Sequence, residues 1–340
     1  MKVLFLHPNT PDYLSSGLFH GLRTLLGKNC VDLPRFDCMY APLSDGMRKK
    51  IRGNGFTLYG LLPDIPELAE ERFFIWFKNI KEYDLYIIAD IWNHWDAYQQ
   101  LCKLVEPEKI IVIDPSDSPR IYPHNNHRNT FLKNVLNINR PFHNAIRYYK
   151  REFLNATSMS VGLPAPFSWL LQYKLPEQVL PINFSIPSSK ITMIEPAHKK
   201  KLFTNNIVDE DVFKNFSTSH FIPLGMEKYS FESEQDYYTD IQQSKFGITT
   251  KRSGWDCLRH YEFAANGAIL CFKQLSQKPA SCAPHGLNEV NSIAYSNYHE
   301  LMDKINALND DAYVVMLNKS YDWIFENTTE AVANRMLQGL

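Results

Sequence analysis

The second half of the chain contains a short basic segment that could bind a phosphate ligand. Lys251 and Arg252 precede a predicted helix, which carries Arg259 and, three residues later, Glu262. Cations near a helix N-terminus oppose the helix dipole, at roughly 0.3–1 kcal/mol each. An anion bound between them would remove that cost, and helix N-termini commonly bind phosphate groups. The alternative is a solvated ion pair between Arg259 and Glu262, which share one helix face.

The order of residue types around this segment predicts a loop, a helix, a turn and a buried strand. Ser253, followed three residues later by Asp256, is a typical helix-start signal and predicts a helix over residues 255–265. Asn266-Gly267 predicts its end, because both residues tolerate a left-handed backbone. The apolar run at 268–272 then predicts a central strand.

The run SKFGITTKRSGWDCLRHYEFAANGAIL, residues 244–270, resembles the donor-binding segment of GT-B glycosyltransferases. It is most similar to the spore-maturation (CgeB-like) and exostosin-like branches, which have a basic residue, an Arg-x-x-Glu helix, a small-residue turn and a strand. The resemblance implies that Lys251, Arg252 and Arg259 bind the diphosphate of a nucleotide-sugar, and that Glu262 binds its ribose. Retaining members often carry two Glu separated by seven residues. That pattern is absent here, because Gly254 stands eight residues before Glu262.

Length and composition favour a two-domain protein whose net charge gives it no affinity for nucleic acid. Two domains of ordinary size are expected for 340 residues. The 36 basic and 37 acidic residues nearly cancel, which argues against nucleic-acid binding by net charge. Six scattered cysteines without a C-x-x-C motif favour a reduced cytoplasmic protein. We find no signal peptide, and the basic run at 199–201 could contact the inner face of a membrane.

Alternating strands and helices predict an α/β protein with doubly wound parallel sheets. The GT-B resemblance implies two Rossmann-like domains with the active site in the cleft between them. We predict a first domain at 1–165, a proline-rich linker at 166–187, a second domain at 188–320 and a C-terminal helix at 321–340 that crosses back to the first domain. Five prolines at 163–187 support the linker. Apolar runs predict strands at 2–7, 30–33, 56–61, 85–89, 109–113, 190–195, 220–223, 245–250, 268–272 and 292–295. The run YYKREF at 148–153 resembles the strand that closes the first domain in the CgeB-like group.

Candidate catalytic residues follow the predicted strands of the first domain. In parallel sheets ligands gather at the carboxyl ends of the strands. His7 ends the first strand, Asp12 lies in the turn-rich loop after it, and Asp117 follows a later strand. In inverting GT-B enzymes a His or an acid in such a loop removes the proton from the acceptor hydroxyl. We therefore name His7, Asp12 and Asp117 as candidates for the base, with His20 as a further one; each could instead be a turn, cap or solvated residue.

These observations predict a metal-independent glycosyltransferase that needs no cofactor besides its nucleotide-sugar donor. The acceptor would be a hydroxyl of a saccharide, glycolipid or glycoprotein, in polysaccharide biosynthesis or a related process. Three alternatives stay open: a sugar-nucleotide epimerase of the same fold, a non-catalytic adaptor of the same fold, and a GT-A-type metal-dependent transferase. The last would use Asp209 and Asp211, since paired carboxylates can bind a divalent metal, although VDEDVF is also typical of an acidic first helical turn.

Overall fold

The chain forms two parallel β-sheets with helices packed on them. The computed structural model describes residues 1–7, 10–119, 121, 142–143, 145–154, 178–216, 220–221 and 230–340. In this part of the chain no helix combines the length and the apolar character needed to cross a membrane.

The first sheet has six parallel strands in the order β2-β1-β3-β4-β5-β6. Continuous apolar runs such as VLFL in β1 are buried on both faces, as expected when helices cover both sides of a parallel sheet. We call this sheet and its helices the first unit. Its strands are β1 (Val3–Leu6), β2 (Cys30–Leu33), β3 (Leu85–Ile88), β4 (Ile110–Asp114), β5 (Arg147–Lys150) and β6 (Gln178–Pro181), and its helices are α1 (Tyr13–Leu26), α2 (Asp45–Arg48), α3 (Leu68–Phe74) and α4 (Ile91–Leu104).

The second unit contains a four-stranded parallel sheet in the order β12-β11-β10-β7 and a two-stranded parallel sheet of β8 and β9. Its strands are β7 (Lys201–Phe203), β8 (Asn206–Ile207), β9 (His220–Phe221), β10 (Ser244–Thr250), β11 (Ile269–Lys273) and β12 (Ser292–Tyr295). Its helices are α5 (Glu210–Phe213), α6 (Glu234–Gln242), α7 (Leu258–Ala265), α8 (Tyr298–Ala307) and α9 (Asp310–Phe325).

Two predicted strands are wrong. Residues 56–61 form consecutive turns, because Thr57 and Gly60 take left-handed backbone angles of φ 75° and 69° that no strand contains. Residues 191–195 are irregular, since the backbone N–H of Thr192 bonds the carbonyl oxygen of Ala265 at the end of α7 rather than a neighbouring strand. Of the predicted linker, residues 166–177 lie outside the described residues, and Gln178–Pro181 pairs with β5 as β6.

A last helix, α10 (Thr329–Gln338), packs against α1 of the first unit. The two helices approach so closely that a side chain at Gly21 would overlap the carbonyl oxygen of Thr329. His20 is buried in the same contact, with Nδ1 2.9 Å from the hydroxyl of Thr329. His20 therefore joins α1 to α10 in this structure, away from any open surface.

The two units are joined by Arg151 and Glu152, which directly follow β5; we call their contacts the clasp. Glu152 accepts hydrogen bonds from the backbone N–H groups of Trp255 (2.7 Å) and Asp256 (3.1 Å) in the second unit. Arg151 donates to Glu152 (3.0 Å), to the carbonyl oxygen of Asp256 (3.2 Å) and to the carboxylate of Asp117. Both clasp side chains are buried, so each charge needs these partners to offset its desolvation.

The contacts of the clasp explain why α7 starts later than predicted. Helix α7 begins at Leu258 rather than at 255, and Ser253 does not cap it. The carbonyl oxygen of Asp256, which would accept the N–H of His260 in a helix that began at 255, accepts from Arg151 instead, and the N–H of His260 bonds Cys257. Residues 251–257 consequently form a bent loop between β10 and α7. The predicted end is confirmed: Asn266 is the C-cap and Gly267 has φ 75°.

Beside the clasp, Asp256 is buried and accepts hydrogen bonds from the N–H groups of Phe184 (2.8 Å) and Cys257 (3.1 Å) and from the hydroxyl of Tyr261 (3.0 Å). Burial raises the pKa of Asp256 to about 6, against the opposing effect of the Arg151 guanidinium. The ionised carboxylate is therefore disfavoured in the folded state relative to the unfolded chain.

We expect Gly21→Ala to destabilise the protein by about 1–3 kcal/mol, because α1 and α10 would have to separate to admit the methyl group. Urea denaturation measures this change. Gly46→Ala is the matched control, since a methyl group at that helical position meets no described atom within 4 Å. It should be neutral or slightly stabilising. Equal losses in the two variants would contradict the close helix contact.

We expect Asp256→Asn to remove one component of the pH dependence of stability. The pKa of Asp256 is about 6 in the folded protein, above its ordinary value of 3.8. The contribution of Asp256 to stability is therefore fully present below about pH 3.8 and is lost as the pH rises through 6. The loss is on the order of 3 kcal/mol. Urea unfolding between about pH 4.5 and pH 7.5 should show the variant gaining stability relative to the wild type as the pH rises. Parallel curves for both proteins would rule this out.

Candidate functional site

The two units face each other at the loop of residues 251–257 and the residues that follow the strands of the first sheet, and we call this region the cleft. Gly254 in this loop lies against Glu152 and Asp117 of the first unit, and a methyl group there would overlap both carboxylates. Glycine is therefore required for the loop to approach the clasp closely. The two units meet where ligands usually bind in parallel α/β sheets.

Three basic residues predicted to bind phosphate lie along this cleft. The exposed Lys251 ammonium lies 5.0 Å from the ring centroid of Trp255. The backbone N–H of Arg252 bonds the carbonyl oxygen of Gly254 (3.1 Å), which closes a turn. Arg259 is on the first turn of α7, and both arginines are half-buried. The structure therefore brings these three cations to one side of the cleft.

The arginines are close enough to repel one another. Burial lowers the pKa of Arg252, and the nearby charges of Arg259 and of Arg52 in the first unit lower it further. Like charges in a partly buried site are unfavourable unless an anion lies between them. A bound diphosphate would relieve this repulsion between the arginines.

Glu262, the predicted ribose ligand, lies behind these cations and is completely buried. One carboxylate oxygen accepts from the hydroxyl of Thr57 in the first unit, and the other from the hydroxyl of Tyr237 (2.6 Å). Burial raises the pKa of Glu262, while these two hydroxyls partly offset that rise. In this conformation a ribose could reach Glu262 only after Thr57 moves away.

Thr57 belongs to a loop that sequence reasoning missed; we call residues 52–57 the clamp loop. The side-chain amide of Asn54 donates to the carbonyl oxygen of Phe231 (3.3 Å). The backbone N–H of Thr57 donates to Glu234 (2.6 Å), and its hydroxyl lies 2.8 Å from that of Tyr238. All these partners belong to the second unit. The glycines at 53 and 55, with φ 66° and 65°, were the available signal that 52–57 is a loop.

The three candidate bases occupy different environments. His7 is completely buried; its Nε2 donates to the carbonyl oxygen of Pro34 (2.7 Å), and its ring stacks on Phe36 at 3.8 Å. In this arrangement His7 packs the end of β1 and does not reach the cleft surface.

Asp12 and Asp117 both lie close to the clasp. Asp12 is half-buried and caps α1 by accepting from the N–H of Ser15 (2.9 Å). Burial raises the pKa of Asp12, while the charge of Arg151 acts in the opposite direction. Asp117 accepts from Arg151, and 42% of its side chain is exposed. Asp117 thus pairs with Arg151, the charge of Arg151 also acts on Asp12, and His7 lies apart in the core.

The carboxylates proposed for a metal-dependent alternative have structural partners. Asp209 accepts from Lys273 (2.9 Å), from the hydroxyl of Tyr295 (2.9 Å) and from the N–H of Asp211 (3.1 Å), and it caps α5. Asp211 accepts from the N–H of Tyr298 (2.7 Å). Among the described residues, no group of three His, Cys, Asp or Glu side chains is arranged to hold a metal ion.

The basic run at 199–201 is largely engaged within the protein. The ammonium of Lys199 donates to the carbonyl oxygen of Gln242 at the end of α6 (2.9 Å), and burial lowers its pKa to about 7. Lys201 pairs with Asp240. These contacts fix strand β7 and leave Lys200 as the exposed member of the run.

A concavity of about 810 Å³ lies between β6, the loop at 285–291 and helices α9 and α10. Its charges are compensated, because Lys319 pairs with Asp322 (2.9 Å) and Arg335 with Glu326 (4.0 Å). The cleft, with its crowded arginines, is therefore the better candidate for an anionic ligand.

No family model and no curated protein matches the sequence significantly. Solved structures do match in fold. The Anabaena protein Alr3699/HepE in complex with UDP has a TM-score of 0.54 at 10% identity, covering 100% of this chain and 99% of that chain. Its complex with UDP-glucose gives 0.53 at 9% identity, covering 100% of both chains. Sucrose-phosphate synthase from Thermosynechococcus elongatus gives 0.53 at 10% identity, covering 99% of this chain and 98% of that chain.

At such low identity these likenesses show the fold alone. Both proteins are GT-B glycosyltransferases with two Rossmann-like domains. The predicted fold class is confirmed: this chain has the α/β fold of GT-B glycosyltransferases, with two parallel-sheet units on either side of a cleft.

Proposed function

We propose that the protein is a glycosyltransferase that moves a sugar from a nucleotide-sugar donor to a hydroxyl of a saccharide, glycolipid or glycoprotein, without a metal ion. The observation that carries this proposal is the crowding of Arg252 and Arg259 beside Lys251 at the cleft of a GT-B fold. The solved structures of similar fold include complexes with UDP and with UDP-glucose, which supports a nucleotide-sugar as the donor.

In the proposed reaction the basic residues stabilise the leaving diphosphate. Negative charge builds on the diphosphate as the glycosidic bond breaks, and cations fixed beforehand lower the free energy of that transition state. Arg252 and Arg259 would form charge-assisted hydrogen bonds with the phosphate oxygens, and Lys251 would act as a point charge at the cleft mouth. Glu262 would bind the ribose hydroxyls once Thr57 has moved away from its carboxylate.

We assign the acceptor base to Asp12, with Asp117 as the second candidate. A general base works best when its pKa lies near the operating pH, and burial moves the pKa of Asp12 upward, in that direction. Asp117 is the more exposed of the two carboxylates. His7 is less suitable, because its ring is stacked in the core and its Nε2 is bonded to Pro34. Cleft closure would exclude water and limit hydrolysis of the donor.

We expect Arg259→Gln to weaken nucleoside diphosphate binding by about 1.5–3 kcal/mol, the contribution of a hydrogen bond to a charged group. Calorimetric titration with UDP, GDP and ADP measures this and also identifies the base. Arg335→Gln is the matched control, since Arg335 is a half-exposed arginine on α10 that pairs with Glu326. Equal affinities for Arg259→Gln and wild type would mean that the donor binds elsewhere.

We expect Asp12→Asn to slow sugar transfer by about 10²–10⁴-fold, the range for loss of a general base. Stability should change little, because Asn caps a helix about as well as Asp. The rate of nucleoside diphosphate release from the donor and the urea midpoint report the two effects, and analysis of the sugar product separates transfer from epimerisation. Asp45→Asn, at an exposed acidic residue of α2, is the control. An unchanged rate in Asp12→Asn would move the assignment to Asp117.

A further inference from the structure

The helical segment that begins with α3 presents two exposed phenylalanines on one face. Helix α3 is followed directly by a π turn and a short 3-10 turn, so the segment extends over residues 68–82; we call it the 68–82 helix. Phe73 and Phe77 lie four residues apart, and 72% and 83% of these two residues are exposed. The side of the helix that packs into the core of the first unit carries other residues, Leu68, Ile75 and Ile80.

Neighbouring exposed aromatic rings are unusual, whereas single exposed apolar side chains are ordinary. The ring of Phe73 meets the half-buried ring of Phe74 edge-on, with 4.9 Å between the centroids. The ammonium of Lys78 lies 4.6 Å from the centroid of the Phe74 ring. Aromatic side chains bury about 150–250 Å² each in cores and interfaces. Phe73, Phe74 and Phe77 therefore form an apolar strip that the described part of the chain leaves largely uncovered.

The exposed charges of the 68–82 helix separate into an acidic start and a basic end. Glu67 and Glu70 precede the apolar strip, Lys78 and Lys81 follow it, and none of the four forms an ion pair with a described residue. The other charged side chains of the segment are paired within the protein: Glu71 with Lys2 (2.7 Å), Arg72 with Asp32 (2.6 Å) and Glu82 with Lys2 (3.5 Å). The helix dipole favours this order of charges, so the order alone is ordinary. The four exposed charges nevertheless remain available to a partner.

These four charges are spaced symmetrically about Phe74. Glu70 and Lys78 each lie four residues from it, and Glu67 and Lys81 each lie seven residues from it. Both spacings keep the charges on the helix face of Phe74. If two copies packed this helix antiparallel about a two-fold axis at Phe74, Glu70 of each would face Lys78 of the other, and Glu67 would face Lys81. Closed two-fold dimers pair one self-complementary patch in this way.

We propose that the 68–82 helix is a homodimer interface, through which two copies of the chain pair antiparallel. Two acidic and two basic side chains cancel, which favours a second copy over an anionic membrane, since such a membrane attracts basic segments. The helix rises only about 22 Å, so we expect a dimer that forms at micromolar concentrations rather than an obligate one. The helix bonds β2 through Arg72 and Asp32, and β2 is the edge strand farther from the clasp. The dimer is therefore independent of the proposed function of the cleft.

Sedimentation velocity over a concentration series tests the apolar strip. The wild type should change from monomer to dimer in the micromolar range, whereas the double variant Phe73→Ser/Phe77→Ser should stay monomeric, because aromatic anchors contribute most to such interfaces. Phe325→Ser is the matched control, since Phe325 is an exposed phenylalanine (49%) at the end of α9. It should dimerise like the wild type. Urea midpoints report whether each variant is folded.

An exchange of charges tests the antiparallel pairing. Lys78→Glu and Glu70→Lys should each weaken dimerisation about tenfold, because each variant places like charges opposite one another twice in the dimer. The double variant Glu70→Lys/Lys78→Glu should restore the wild-type dimer, as a double-mutant cycle detects. The two positions are eight residues apart, beyond the spacing at which side chains of one helix pair. Recovery would therefore come from contacts between the two copies.

Three results would overturn this interface. A wild type that stays monomeric at every concentration excludes the dimer, and flotation with vesicles of phosphatidylcholine and phosphatidylglycerol then shows whether the strip binds a lipid surface instead. A dimer that survives Phe73→Ser/Phe77→Ser lies elsewhere on the chain. If the exchange of charges does not restore dimerisation, the two helices do not pair antiparallel about Phe74.

Discussion

The burial of Glu152 between the two units is the constraint on which the rest of the site depends. A buried carboxylate is strongly unfavourable unless it is paired and fully hydrogen-bonded. Glu152 meets this condition with the Arg151 guanidinium and with two backbone N–H groups of the loop at 251–257. Arg151 in turn bonds the carbonyl oxygen of Asp256, which is then not available to extend α7 toward Lys251. Lys251 and Arg252 therefore lie on the loop, and Arg259 lies on the first turn of the helix.

A second carboxylate crosses the cleft in the opposite direction. Glu152 belongs to the first unit and accepts from the second, whereas Glu262 belongs to the second unit and accepts from Thr57 of the first. Each unit thus contributes one carboxylate that accepts hydrogen bonds from the other unit. Because hydrogen bonds are directional, two such contacts at separate points fix the relative orientation of the units more closely than apolar packing alone would.

Elements with a strong local pattern could be predicted from the sequence, and those shaped by distant contacts could not. Residues 85–88 and 110–113 form strands as predicted, because continuous apolar runs specify buried parallel strands wherever they occur. The start of α7 was misplaced because Arg151, more than 100 residues away, takes the carbonyl oxygen of Asp256. The clamp loop was missed because residue type gives no indication that Thr57 adopts φ 75°; only its tertiary partners do.

The same reasoning explains which part of the site could be found from sequence. Lys251, Arg252 and Arg259 were recognisable because they lie within nine residues of one another and their charges make a helix start unfavourable. Thr57 is about 200 residues from Glu262 in the sequence, and only the fold brings the two side chains together. Since charges lower a barrier most when they are fixed before the reaction, a site of this kind needs residues that hold the arginines together against their mutual repulsion. Glu152 fixes the loop that carries Arg252, and Thr57 bonds the helix that carries Arg259, and neither residue belongs to a phosphate motif.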